Sequence, residues 1–121
     1  MPKKILIVDD EKDFTRLLKS SLDERGYRAT EANSAVECGL YLNSEKPDLI
    51  IMDIKMYGIN GLDACRAIRK NPNTANIPIF VVSAMPSEES AERVLGVGAN
   101  KFFPKPLNLE SFLKEIESLL K

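Results

Sequence analysis

Residues 49–53 read Leu-Ile-Ile-Met-Asp, four apolar side chains in a row and then a carboxylate. A strand with one face in water alternates apolar and polar residues. A short unbroken apolar run instead fits a strand covered on both faces, as in the centre of a parallel sheet. Two other runs have this form: Lys4–Val8 leads into Asp9 and Asp10, and Ile79–Val82 leads into Ser83. Arg28–Ala32 and Lys101–Phe103 complete a set of five expected strands.

Each strand is followed by a stretch of helical period. Phe14, Leu17, Leu18 and Leu22 share one helical face, and Gly26 supplies the left-handed residue that ends a helix. Ser34 is placed to cap the next helix, whose apolar positions are Ala35, Cys38 and Leu42, and Lys46-Pro47-Asp48 breaks the pattern. A third helix is expected over Gly61 to Lys70 with Leu62, Cys65 and Ile68 inward. Ser87 is read as the cap of a fourth, with Glu88 and Glu89 in its first turn. Asn108 opens the last helix, in which Leu109, Phe112, Leu113, Ile116 and Leu120 form a core stripe. Alternation of this kind predicts an α/β fold, a doubly wound five-stranded parallel sheet of order 2-1-3-4-5 with helices on both faces.

The chain of 121 residues is the size of one domain, so residues 1–121 are read as a single folded unit. Hydrophobic residues make up 44%, enough for a core without disulfides or a structural metal. A formal net charge of -1 offers no positive field for a nucleic-acid backbone or an anionic membrane, so neither is expected as a partner. Cys38 and Cys65 lack metal-ligand spacing and read as reduced core residues. The apolar run near the N-terminus is too short for a signal peptide or a membrane span, which points to a cytoplasmic protein. The absence of histidine excludes Ser-His-Asp and Cys-His catalysis and imidazole metal sites.

Open sheets of this kind place their sites at the carboxyl ends of the strands. There the order predicts Asp9 and Asp10 after the first strand, Asp53 after the third, Ser83 after the fourth and Lys105 after the fifth. Taken singly each has a plain explanation: Asp9-Asp10 as a helix cap, Asp53 and Ser83 as turn formers, Lys105 as a solvated lysine. None of these explains why acids, hydroxyl and amine fall at the same end of successive units. Clustered carboxylates repel one another and must be partly protonated or share a cation. A hard, largely hydrated magnesium ion suits an all-oxygen site.

Over its whole length the sequence resembles a response-regulator receiver domain of two-component signalling, of the single-domain chemotaxis-regulator kind. The resemblance is carried by ILIVDDEKD at 5–13, DLIIMDIKM at 48–56, Gly58 and Gly61, IPIFVVSA at 77–84, GAN at 98–100 and FFPKP at 102–106. It implies a flavodoxin-like (βα)5 fold in which Asp53 is the phosphoacceptor. Asp10 and Asp53 would bind Mg2+ (with Mn2+ as an alternative) directly, Asp9 through water, and the main-chain carbonyl of Lys55 would add a ligand. Ser83 and Lys105 would each contact a phosphoryl oxygen, and Phe102 would be the aromatic switch residue. The implied donor is a sensor histidine kinase or a histidine phosphotransfer protein. The downstream effector is left open, dimerisation on phosphorylation is an option, and a cis Lys105–Pro106 bond is expected.

Two departures accompany the resemblance. Tyr57 stands where many relatives carry proline, implying a less stiff loop, and Phe102 lacks the hydroxyl of the common tyrosine. Lys55 and Met85, two residues beyond Asp53 and Ser83, would border the path of hydrolytic water. A haloacid-dehalogenase-like phosphatase would need an Asp-x-Asp pair, but Glu11 occupies the second place. A flavodoxin-type flavin site would need a Ser/Thr/Gly-rich phosphate loop where this chain has acids. A pseudo-receiver that binds partners without phosphorylation is the remaining alternative.

Overall fold

The computed structural model describes residues 2–56, 59–84 and 87–121, with the side chains of 55–56, 59–60 and 87–90 outside that description. Five strands form one parallel sheet: β1 (Lys4–Val8), β2 (Arg28–Ala32), β3 (Leu49–Met52), β4 (Ile79–Ser83) and β5 (Lys101–Pro104). Their order is β2-β1-β3-β4-β5, as the sequence predicts. Five helices alternate with them: α1 (Lys12–Glu24), α2 (Ala35–Ser44), α3 (Gly61–Lys70), α4 (Ser87–Gly96) and α5 (Leu109–Leu119). A two-residue antiparallel ladder that the sequence gives no hint of, Lys55–Met56 against Ile59–Asn60, separates β3 from α3 along the chain.

The unbroken apolar runs are explained by a core on each side of the sheet. Ile5, Ile7, Ile51, Phe80 and Val82 pack with Leu18 and Leu22 of α1 and with Phe112, Leu113 and Ile116 of α5. Their strand neighbours Leu6, Val8, Ile50, Met52, Ile79 and Val81 point the other way, onto Cys38, Leu62, Cys65, Ile68 and Val94 of the three remaining helices. Phe103 extends the first core, its ring centroid 5.2 Å from Phe80 and 4.8 Å from Phe112. Phe102, next along β5, packs on the opposite side.

The helix boundaries follow local chemistry. Ser34 and Asn108 each accept a hydrogen bond from a first-turn amide, those of Glu37 and Ser111. Gly26, at φ +91°, closes α1: its amide donates to Asp23 and that of Tyr27 to Leu22, satisfying two terminal carbonyls. Cys38 and Cys65 are free and buried, and burial pushes both thiols up to about 11. Among the described residues no helix is long and apolar enough to cross a membrane.

Three expectations shift. Leu17 is 62% exposed, because Phe14, Thr15, Leu18 and Leu22 take the inward face of α1 and leave Leu17 at its margin. Ladder pairing extends β4 to Ser83 and β5 to Pro104, one residue past each apolar run. Helix α4 begins at Ser87 itself rather than after it. The readings made for Tyr57, Gly58 and Met85, and for the side chains of Lys55, Ser87, Glu88 and Glu89, fall outside the described residues.

Candidate functional site

Strand register decides where the chemistry gathers. Val8 is level with Met52, and Met52 with Val81, so the chain leaves β1, β3 and β4 along one rim at Asp9, Asp53 and Ser83. Asp9 and Asp53 are buried, only 1% and 6% exposed, whereas Asp10 is exposed. One carboxylate oxygen from each of the three acids lies within 4.8 Å of the others. Two full negative charges at that separation repel by about 3 kcal/mol at an effective dielectric near 20, so the cluster calls for a positive partner.

Lys105 supplies part of that charge from the loop after β5. Its Nζ donates to Asp9 Oδ2 at 2.8 Å and lies 3.4 Å from Asp53 Oδ2 and 3.4 Å from Glu11 Oε1. The ammonium also sits 4.3 Å from the centroid of the Phe14 ring, whose face attracts a cation. The Lys105 amide donates to the Ser83 carbonyl at 2.8 Å, tying the lysine's backbone to the end of β4. The Lys105–Pro106 bond is cis, as the resemblance implies.

The simple cap explanation for Asp9-Asp10 fails. Glu11 occupies the N-cap position of α1 and makes no side-chain cap bond. Asp9 Oδ1 instead accepts from the Glu11 amide at 2.9 Å, before the helix starts, which holds the carboxylate in the rim. Burial raises the Asp9 carboxyl above its ordinary range, against the opposing pull of Lys105 and the Glu11 amide. At Lys105 burial pulls the other way, yet the hydrogen bond to Asp9 and the charges of Asp53, Asp9 and Glu11 prevail and raise its pKa. The Asp9 shift reflects burial first, and the Lys105 shift reflects the three carboxylates that surround its ammonium.

The donor set is consistent with a hard divalent cation: three carboxylates converge, two of them buried, with no nitrogen or sulfur ligand among them. Asp9, Asp10 and Asp53 are the side chains that would hold it. The backbone of Lys55, the fourth expected ligand, lies two residues past Asp53 in the short ladder.

Of the residues that sequence reading singled out, the fold brings Asp9, Asp10, Asp53 and Lys105 together and buries Ser83 at the end of β4, but the reading missed their supports. Glu11 and Phe14 both reach Lys105. Asn33, at the exit of β2, donates to the Asp9 carbonyl at 2.9 Å. Thr15 is fully buried on the inward face of α1. A polar residue within an apolar stripe was the available signal for Thr15; nothing in the pattern marked Asn33.

The family model for the response regulator receiver domain matches residues 5–117. This chain belongs to that family. The receiver is 33% identical over its full length to the response regulator MprA of Mycobacterium sp. (strain KMS), of which it covers 52%. It thus spans about half the length of the relatives it matches. Among solved structures, the response regulator receiver protein from Pseudomonas putida superposes with a TM-score of 0.90 at 34% identity, with 98% of each chain covered. The chemotaxis response regulator CheY4 of Vibrio cholerae gives 0.91 at 27% identity, covering 99% of this chain and 100% of that one. The receiver therefore has the flavodoxin-like (βα)5 architecture of chemotaxis-type receivers and is a domain of two-component response regulators.

Proposed function

We propose that residues 1–121 act as a phosphorylation-operated switch, a signalling unit rather than a metabolic enzyme, in which Asp53 accepts a phosphoryl group. One observation carries this reading. Asp53 is buried at the sheet rim within reach of two further carboxylates and 3.4 Å from the Lys105 ammonium. That is the charge arrangement a carboxylate nucleophile needs against an anionic phosphoryl donor.

In the forward step an Asp53 carboxylate oxygen attacks phosphorus. The bond from phosphorus to the donor's histidine nitrogen breaks, and the released imidazole recovers a proton from solvent. Lys105 moves its hydrogen bond from Asp9 towards a phosphoryl oxygen, and the Ser83 hydroxyl donates to another. A bound Mg2+, or Mn2+ in its place, would supply the charge neutralisation that lets acid and phosphoryl oxygens approach. Asp10 and Asp53 would hold it directly, Asp9 through water, with the Lys55 carbonyl as a further ligand.

The product carries about two negative charges where Asp53 carried one. Drawing Ser83 towards the phosphoryl group would open space on the core side of β5, into which Phe102 can turn. The surface of α4, β5 and α5 would then present a new shape to an effector or a second copy. A sensor histidine kinase or histidine phosphotransfer protein in the cytoplasm fits as donor. A phosphoryl-mimic complex with the backbone and Phe102 unchanged from the metal-only form would refute this coupling.

The direct test is intact mass after exposure to acetyl phosphate, with and without Mg2+, for the wild type and Asp53→Asn. A single phosphoryl gain that needs Mg2+ and vanishes in the variant is expected. No gain under conditions that label a control receiver would favour the pseudo-receiver alternative.

A further inference from the structure

Asn33 lies outside the acid cluster, on the turn between β2 and α2, yet it reaches across to the loop that carries two of the acids. Its Nδ2 donates to the main-chain carbonyl of Asp9 at 2.9 Å and to Thr15 Oγ1 at 3.1 Å. The amide orientation is settled by chemistry, since a carbonyl can only accept. Asn33 is itself held from behind. Glu37 Oε1 accepts from the Asn33 amide at 3.2 Å, and Ser34 Oγ accepts from the Glu37 amide at 3.1 Å, joining the turn to the first turn of α2.

The partner on α1 is equally fixed. Thr15 is fully buried, with Oγ1 within hydrogen-bonding distance of the Lys12 carbonyl at 3.2 Å and of Glu31 Oε2 at 3.4 Å. The Asp9 amide donates to the Ala32 carbonyl at 3.1 Å. The peptides on both sides of Asp9 are therefore anchored by residues 32 and 33. The second of these peptides joins Asp9 to Asp10, and its plane directs the Cα–Cβ bond of Asp10.

We infer that Asn33 is a positioning residue for the carboxylate cluster: by clamping the Asp9 carbonyl to α1 and to the turn before α2, it sets where the Asp10 carboxylate meets those of Asp9 and Asp53. This rests on the reading that the cluster takes a divalent cation. Outer-shell hydrogen bonds that orient ligands change metal affinity by about 10- to 100-fold when removed. A tenfold weakening of Mg2+ binding is the expected effect.

The test is calorimetric Mg2+ titration of the wild type, Asn33→Ala, Asn33→Asp and Thr15→Val, at a temperature where urea unfolding shows each metal-free protein to be folded. Asn33→Ala should bind Mg2+ about tenfold more weakly. Thr15→Val, nearly isosteric, should weaken it less and in the same direction. Asn33→Asp adds a negative charge near the site, so it would bind more tightly if charge alone mattered; positioning requires it to bind more weakly. Wild-type affinity within twofold in Asn33→Ala and Thr15→Val, or tighter binding in Asn33→Asp, would overturn the inference while leaving the metal site standing. A wild type that takes up no Mg2+ would overturn the site itself and the inference with it. Should Asn33→Ala fail to fold, the other two variants decide the matter.

Discussion

Gly61, the first residue of α3, offers a sharp perturbation of the site through the backbone alone. A Cβ built there would stand 2.4 Å from the Ile54 Cα and 2.6 Å from the Asp53 carbonyl oxygen. Both are backbone atoms and cannot swing aside. The Gly61 amide also donates to the Ile54 carbonyl at 2.8 Å, so the two segments are held together. Relieving the contact to ordinary van der Waals distance requires a shift of about 1 Å in the segment bearing Asp53, and overpacking of this kind costs about 1–3 kcal/mol. Near 4 °C per kcal/mol, the melting temperature of Gly61→Ala should fall by roughly 4–12 °C. A 1 Å displacement of a reacting group costs about 10²-fold in rate, so labelling by acetyl phosphate should slow by that order.

Gly39 provides the control within the same protein. It lies mid-helix in α2 with nothing within 4 Å of a Cβ built on it, so Gly39→Ala should gain helix propensity and stabilise by about 0.5–1 kcal/mol. Urea unfolding followed by circular dichroism measures both, and mass spectrometry follows the labelling. If Gly61→Ala unfolded with Gly39→Ala and labelled at the wild-type rate, the close approach of α3 to the Asp53 segment would not constrain the site.

Asp9 gives a pH signature. Its folded-state carboxyl is raised by burial, so its contribution to stability is present below the ordinary value of 3.8 and is lost as pH rises through the folded value. Mg2+ competes with that proton, so the rise in melting temperature given by saturating metal should grow as pH is raised from 3.8 through the folded value, with proton release on binding over that interval; equal increments across it would refute this. Arg69 donates to the carbonyls of Gly98, Ala75 and Ile77 and to Asn100 Oδ1, joining α3 to the loops on either side of β4 and α4. Arg69→Met should cost about 2–3 kcal/mol in urea unfolding, and a cost under 0.5 would show that water replaces those bonds freely. With both thiols pushed up to about 11, Cys38 and Cys65 should react slowly with a disulfide reagent at pH 8 and rapidly in denaturant. Fast native-state labelling would count against their burial.

The sheet was legible in the sequence, because a strand covered on both faces must be apolar throughout, and LIIM, ILIV and IFVV have no polar residue to put in water. So was the rim, since parallel strands joined by helices all present their carboxyl ends at one edge. Asp9, Asp53, Ser83 and Lys105 therefore fell together by order alone. Capping chemistry at Ser34 and Asn108 was equally legible, being a matter of neighbours a few residues apart. The remaining contacts depend on side chains far apart in the chain. Leu17 was left outside because Thr15, not an apolar residue, took the inward place beside the acid loop. Asn33 met Asp9 through contacts 24 residues apart, and Lys105 reached Asp9 from 96 residues away and Asp53 from 52. Such contacts leave no period in the sequence, because hydrogen bonds between loops depend on where whole strands and helices end, which packing of the two cores sets.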